Sequence, residues 1–389
     1  MLVCGVIAEY DPFHLGHARH LRLAREASGA DYVVCVISCA FSQRGTPTLF
    51  HTHDRAKMAL SSGANLVLGM PYSFSCAPAD RFALGGIGIL DGLGVVTHLS
   101  FGTEVDDLQH LYNIASIIEH PNTTYRQKLR LGIAEGKSFA RARGEALNAS
   151  YPGVQKAFLS QPNMTLAISY LRALKRLGSR MTVVPIKRNT AYQSTALAHE
   201  PSASAVRLAM LHGDWQGVQR SVPDAVYTII QDAANTNRLH RPESLDKALI
   251  SHLLQTTPVQ AARCPDVSEG LERRILKAAK SAVTREQLVD IVKTKRYPYA
   301  RINRILSHMF TGQTRNNLAD IPQYARLLGY SREAAPLLKA LRLNGIRLIS
   351  KPARETVDGI EQDMLAETLW ALGAGLPPDS AYRHPVVTY

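Results

Sequence analysis

The chain opens on a short unbroken apolar run, Val3–Ala8, and soon afterwards reaches His14-Leu15-Gly16-His17 at the head of a helical pattern. A run this short and this apolar reads as a parallel strand covered on both faces. The paired imidazoles then fall where the strand turns into a helix. Helix N-termini carry unpaired backbone N–H groups and the positive end of the helix dipole, so they attract phosphate. His14 and His17 are three residues apart and share a helical face. Both can donate to phosphoryl oxygens as charge builds there, and Gly16 lets the backbone or a ligand come close. Two other readings exist: a satisfied histidine pair at a helix start, or a pair of metal ligands. Zinc is disfavoured because i,i+3 spacing without a third nearby ligand does not build a site, and no metal site is expected.

The next stretches repeat the first. Apolar runs at Tyr32–Ser38, Leu66–Met70 and 95–101 alternate with helical patterns at 15–27, 54–62 and 79–90. Strands alternating with helices at this spacing predict a βαβ series and a parallel sheet. After Asp106 come helical patterns at 107–120, 125–135, 138–147 and 163–177, then a last strand-like run at 181–186 and a short helix at 202–211. Beyond about 215 the patterns are mainly helical, at 224–234, 243–254, 267–279, 285–292, 299–310 and 332–343. The expectation is a Rossmann-like α/β domain over 1–215 followed by a mainly helical region over 216–389.

With 46% hydrophobic and 20% charged residues among 389, the chain has the composition of a folded globular protein. The first apolar run is far shorter than the ~20 residues of a membrane helix. It lacks the basic flank of a secretory signal, so a cytoplasmic location is expected, with no membrane and no protein partner implied. Five cysteines without a CxxC pair read as buried thiols. The net charge of +13 is uneven. It is zero over 1–100, then +6, +4 and +3 over 101–200, 201–300 and 301–389. A neutral first lobe with a basic remainder suggests a polyanion bound mainly outside that lobe.

The motif and its place match the HIGH signature of Rossmann-like nucleotidyltransferases. The segment Gly5 to His17 further resembles the opening of the bacterial tRNA(Met) cytidine acetate ligases. The likeness continues in order through Gln43-Arg44-Gly45, Arg55 to Leu60, Gly63 to Val67, Phe101-Gly102-Thr103-Glu104, Ser160 to Asn163, Pro185 to Arg188 and Ser202 to Arg207. It extends to Thr294-Lys295-Arg296-Tyr297-Pro298 with Arg301 and Arg304. Asp11 stands where the family has asparagine, and Gly69-Met70-Pro71 where it has E-L-P.

The resemblance implies an ATP-dependent ligase. Acetate and ATP, with Mg2+, would give acetyl-adenylate and pyrophosphate, and the wobble cytidine of elongator tRNA(Met) would take the acetyl group to become N4-acetylcytidine. His14 and His17 would be catalytic. ATP would contact Ile7, Ala8, Glu9, Tyr10, Asp11, Pro12, Phe13, His14, Leu15, Gly16, His17, Ala18, Arg19 and His20, with Gly102, Asn163 and Arg188. Ser204 and Arg207 would hold the pyrophosphate end.

Lys295, Arg296, Arg301 and Arg304 cluster around Tyr297-Pro298-Tyr299. Cations interleaved with tyrosines suit RNA, since phosphates take the charge and an unpaired base can stack on a ring. The other reading is a solvated helix face over Ile302, Ile305 and Leu306. Two further functions fit parts of the pattern: a nucleotidyltransferase for a small phosphorylated acceptor, and an RNA-binding protein with a decayed ATP site.

Overall fold

The sheet grows outward from the first strand in both directions. The computed structural model describes residues 1–104, 108–151, 162–187, 201–341 and 346–389. Strand β1 (Val3–Ala8) pairs in parallel with β2 (Tyr32–Ser38), and β2 with β3 (Leu66–Met70). The chain then crosses back to the other edge of β1, where β4 (His98–Thr103) pairs in parallel, followed by β5 (Thr182–Lys187). The last two strands begin slightly later than the apolar runs at 95 and 181 suggest. A reversal of winding beside β1 opens a crevice at the carboxyl ends of β1 and β4, the usual binding position of an open α/β sheet.

Both faces of the sheet are buried, which is why its strands read as unbroken apolar runs. Val34 and Val36 point into one core, shared with Phe82, Ile87 and Leu171 from helices Ala79–Gly92 and Pro162–Leu177. Val33, Cys35 and Ile37 point into the opposite core, shared with Leu21 of α1 (Leu15–Ser28) and Met58 of α2 (Thr52–Leu60). This is the two-residue alternation of a pleated strand. Helix α2 starts before the expected position 54, because the His51 side chain accepts the His53 N–H and caps it.

The expected run of helices after 216 ends earlier than 389. Helices between Asp246–Gln255 and Tyr299–Phe310 form a unit with its own core, including Leu249, Ile275, Leu288 and Ile302. The chain then returns to the sheet. Strand β6 (Tyr324–Tyr330) pairs antiparallel with β3, and β7 (Arg347–Ile349) and β8 (Val387–Thr388) pair in parallel with β6. The apolar pattern of β6 is broken by Arg326. In the fold that guanidinium is buried against Glu367 of helix Ile360–Gly373, at 2.6 Å. A charge that would exclude a strand from a core is neutralised by a residue 41 positions away. All five cysteines are free and buried, as expected. No described helix is long and apolar enough to cross a membrane.

His308 faces Tyr72 inside the contact between the helical unit and the sheet, with its Nδ1 at 3.3 Å from the tyrosine oxygen. Burial pushes its pKa down from 6.5 to about 4. The unfolded ring therefore binds a proton that the folded ring refuses. The stability tied to this neutral ring is complete above about pH 6.5 and is lost as the pH falls toward 4. Urea midpoints are expected to drop from pH 7 to pH 4, and to drop less in His308→Gln. Identical pH profiles for the two proteins would refute this assignment.

Candidate functional site

A cavity of about 990 Å³ occupies the crevice, walled by the ends of β1, β4 and β5, the start of α1, loop 42–49 and helix Ala203–Leu211. Its lining includes Ile7, Ala8, Glu9, Tyr10, Asp11, His14, Gly16, His17, Arg19, His20, Gly102, Asn163, Ser204 and Arg207. Pro12, Phe13, Leu15 and Ala18 do not line it. Phe13 is instead fully buried in the core beneath, and Ala18 packs on that core. Arg188 lies outside the described residues. The cavity is cationic: Arg19, Arg44, Lys187, Arg207, Arg241 and Arg285 line it against the carboxylates of Glu9, Asp11 and Glu243.

The two imidazoles stack, with ring centroids 3.6 Å apart and planes 24° apart. His14 is the N-cap of α1 and is buried. Its backbone N–H donates to His17 Nδ1 at 3.3 Å. That contact makes His17 Nδ1 the acceptor, which leaves its proton on Nε2 as a donor. A Cβ on Gly16 would stand 3.0 Å from His14 Cε1, so the glycine makes room for the His14 ring. Tyr10 and Phe13 flank His17, with centroids at 4.8 and 5.4 Å. One turn further on, His20 Nε2 lies 3.1 Å from Ser100 Oγ on β4.

The carboxylates before the helix are turned toward backbone. Asp11 accepts from Leu49 N–H at 2.9 Å and from Phe50 N–H at 3.0 Å, one bond to each oxygen. Glu9 accepts from Gln43 N–H at 2.7 Å. Behind them, the fully buried guanidinium of Arg55 donates to the carbonyls of Glu9 at 2.6 Å and Phe50 at 3.2 Å, and also to Cys39. Arg207 donates to the Asp11 carbonyl and to Ser204 Oγ, the latter at 3.1 Å. Ser204 and Arg207 thus brace the loop before α1 as well as lining the cavity.

On the other wall, Gly102 lies near the end of β4 opposite Ile186 of β5. Asn163 is buried, lines the cavity, and its amide donates to Glu104 Oε1 at 2.5 Å. Sequence reasoning missed Arg285, which nothing in its helical pattern singles out. It is half-buried, lines the cavity, and donates to the Gly45 carbonyl at 2.6 Å, to Asn303 and to Ser307. Burial lowers its pKa to about 10. Gly45 has φ +84°, and a Cβ there would stand 2.3 Å from the backbone nitrogen of Arg304. The loop therefore docks directly on helix Tyr299–Phe310 of the helical unit.

The basic cluster divides in two. Arg304 pairs with Asp266 at 2.8 Å and is largely buried. Arg301 donates to the Asp266 carbonyl and to Ser268. Both hold the loop before helix Leu271–Ala279 in place. Lys293, Lys295, Arg296 and Tyr299 are exposed, with the Lys293 ammonium 3.9 Å from the Tyr299 ring centre. The Arg296 link to Glu269 at 3.2 Å is a surface pair and of little energetic weight.

Asp11 supplies acceptors to two adjacent backbone donors, so Asp11→Asn would set an amide N–H against one of them. The expected cost is about 1–3 kcal/mol of stability, read by chemical denaturation, with loss of exchange protection at Leu49 and Phe50. Unchanged stability and protection would refute this role.

The family model described as HIGH Nucleotidyl Transferase matches residues 1–378. A tRNA(Met) cytidine acetate ligase of Syntrophomonas wolfei is 34% identical over 354 residues, covering 88% of this chain and 85% of the relative. A tRNA(Met) cytidine acetate ligase of a Thermoanaerobacter species is 32% identical, with full coverage of both chains. Among solved structures, Thermotoga maritima TmcAL bound with alpha-thio ATP superposes over the whole of both chains with a TM-score of 0.91 at 28% identity. The apo form of the same protein gives 0.91 at 27%. With its stacked histidines heading the first helix at the crevice of a parallel sheet, this chain belongs to the HIGH nucleotidyl transferases and, among them, to the tRNA(Met) cytidine acetate ligase family.

Proposed function

We propose that the protein is an ATP-dependent ligase that acetylates the wobble cytidine of elongator tRNA(Met). The observation that carries this reading is the cationic crevice cavity with the His14–His17 stack at the N-terminus of α1. A triphosphate needs positioning and charge stabilisation more than covalent help. Its phosphates would lie toward the helix start, where backbone N–H groups, the dipole and His17 Nε2–H favour negative charge. The adenosine end would lie along β4 and β5, near Gly102, Ile186 and Asn163. Arg188, which follows β5 in sequence, would clamp the phosphate or ribose.

In the first step the acetate carboxylate attacks the α-phosphorus and pyrophosphate leaves. His14 and His17 steady the charge on the α-phosphate and the leaving group. In the second step the cytidine N4 amine attacks the acetyl carbonyl and AMP leaves. Mg2+ would supply charge neutralisation for the phosphates. Asp11 is a poor partner for it, since both carboxylate oxygens serve Leu49 and Phe50. Glu9, with one oxygen engaged by Gln43, is the better carboxylate to hold such an ion.

The tRNA would lie against the helical unit. Its contacts would come from Lys295 and Arg296, with Lys293 and Tyr299 beside them. Arg301 and Arg304 would act by fixing the loop beneath. Because loop 43–45 seats on helix Tyr299–Phe310, the surface that holds RNA is coupled to the wall of the ATP cavity.

ATP–pyrophosphate exchange is expected only when acetate is added, and His14→Ala or His17→Ala should each slow it by about 100-fold or more. Nucleoside mass spectrometry with labelled acetate should find the label on one tRNA cytidine. Lys295→Ala combined with Arg296→Ala should spare the exchange, reduce tRNA labelling and make tRNA binding less steeply dependent on salt than in the wild type. Exchange without acid dependence, or transfer of AMP to a small phosphate ester, would instead point to another nucleotidyltransferase.

A further inference from the structure

A nucleotide placed along β4 and β5 leaves part of the cavity wall without a role. Leu208, Leu211, Trp215, Arg241 and Glu243 also line it, and none belongs to a strand. Their segments are fastened to the loop side of the cavity. Arg207 donates to the Asp11 carbonyl, and the His240 N–H donates to the Leu49 carbonyl at 3.0 Å. The whole cavity, about 990 Å³, stands at the upper end of the roughly 300–1,000 Å³ that one small ligand occupies.

This part of the wall is apolar although it faces solvent. Leu211 ends helix Ala203–Leu211 and is 81% exposed, the most exposed large apolar side chain among the described residues. Leu208, one turn earlier on the same helical face, and Trp215, which opens the next helix, are exposed as well. A contiguous exposed apolar patch beside a cavity marks a surface that a ligand covers. An indole offers a flat face for another ring. In the same lining, Arg241 supplies hydrogen-bond donors and Glu243 acceptors.

Helix Arg285–Val292 shows what can reach this wall. Its first residue, Arg285, lines the cavity, and its last is followed by Lys293, exposed together with Lys295 and Arg296. Its eight residues span roughly 12 Å. The cations assigned above to the RNA backbone therefore lie one short helix away from the cavity. A strand held outside by its phosphates can turn one base inward over that distance. Chemistry on a base requires that base to leave its stack, and unpaired RNA bases are held by stacking on aromatic side chains.

We propose that Trp215, with Leu208 and Leu211, is the stacking platform for the unpaired cytosine that accepts the acetyl group, with Arg241 and Glu243 at its polar edge. The proposal rests on the ligase function above and adds the place of the acceptor base. The base enters from the loop side while the nucleotide holds the sheet side, so the amine and the activated acyl group meet beside the His14–His17 stack. Cytosine presents an amine donor where uracil presents a carbonyl. The Glu243 carboxylate accepts from the first and repels the second.

The chain has two tryptophans, and the other, Trp370, is fully buried. Quenching of tryptophan emission by added RNA therefore reports on Trp215. Elongator tRNA(Met) is expected to quench it, and the same tRNA with an abasic wobble position is not. Trp215→Ala is expected to lower kcat/KM for tRNA acetylation by about 5- to 150-fold, the loss of one stacked base, while acetate-dependent ATP–pyrophosphate exchange is unchanged. Trp215→Phe keeps a ring and should restore most of the acetylation. Leu211→Asp alters an exposed position, so it should fold even if Trp215→Ala does not, and it should lower acetylation and spare exchange in the same way. Full acetylation by both Trp215→Ala and Leu211→Asp, or equal quenching by the abasic tRNA, would overturn the platform and leave the ligase function standing. Loss of exchange together with acetylation in both variants would also overturn it, since the wall would then serve the nucleotide. A wild-type protein with no acetate-dependent exchange would sink the ligase function, and the platform with it.

Discussion

The segment between β1 and α1 carries the site, and it is held by charges spent on backbone. Arg55, fully buried, donates to carbonyls at the ends of β1 and β2 and in the loop before α2. Glu9 and Asp11 accept backbone N–H groups from loop 43–50. A polar loop can be buried only if its backbone groups find partners, and here side chains from three elements provide them. The outcome is a rigid approach to His14, whose ring then stacks on His17 over Gly16. A site that stabilises developing charge has to be fixed before its substrate arrives. Asp11 serves the same end, because its carboxylate accepts from both Leu49 and Phe50.

Among the described residues, the helical unit is joined to this frame at loop 43–45 and at Tyr72, which meets His308. Arg285 and Ser307 both donate to the Gly45 carbonyl, and the backbone of helix Tyr299–Phe310 occupies the space a side chain at Gly45 would need. The exposed cations of that unit, Lys293, Lys295 and Arg296, suit a large polyanion, while the cations facing the cavity suit a compact one. The same loop thus lines the cavity and seats on a helix of the unit.

Much of the fold could be read from the chain. The strands at Val3–Ala8, Tyr32–Ser38 and Leu66–Met70 and the helix Tyr299–Phe310 fall where the patterns place them. Two-sided burial leaves unbroken apolar runs, and an amphipathic helix leaves a periodic one. Strand β6 was not legible, because Arg326 breaks its pattern and the compensating Glu367 belongs to another helix. Arg285 was not legible because an arginine whose guanidinium is spent on Gly45 and Asn303 looks like any surface arginine in sequence. Arg301 and Arg304 looked like free cations because their partner loop, 266–268, lies some 35 residues upstream.

By itself, the order of residues determined the parallel sheet, the strand-to-helix turn with its paired imidazoles, and the excess of positive charge beyond the first hundred residues. These are local or additive properties, so neighbours in sequence suffice to specify them. Only the tertiary structure decided which charges stay available. It turned Asp11 and Glu9 toward backbone, spent Arg304 on Asp266, and buried Arg326 against Glu367. Pairing and desolvation depend on what arrives from far along the chain, and no local pattern encodes that arrival.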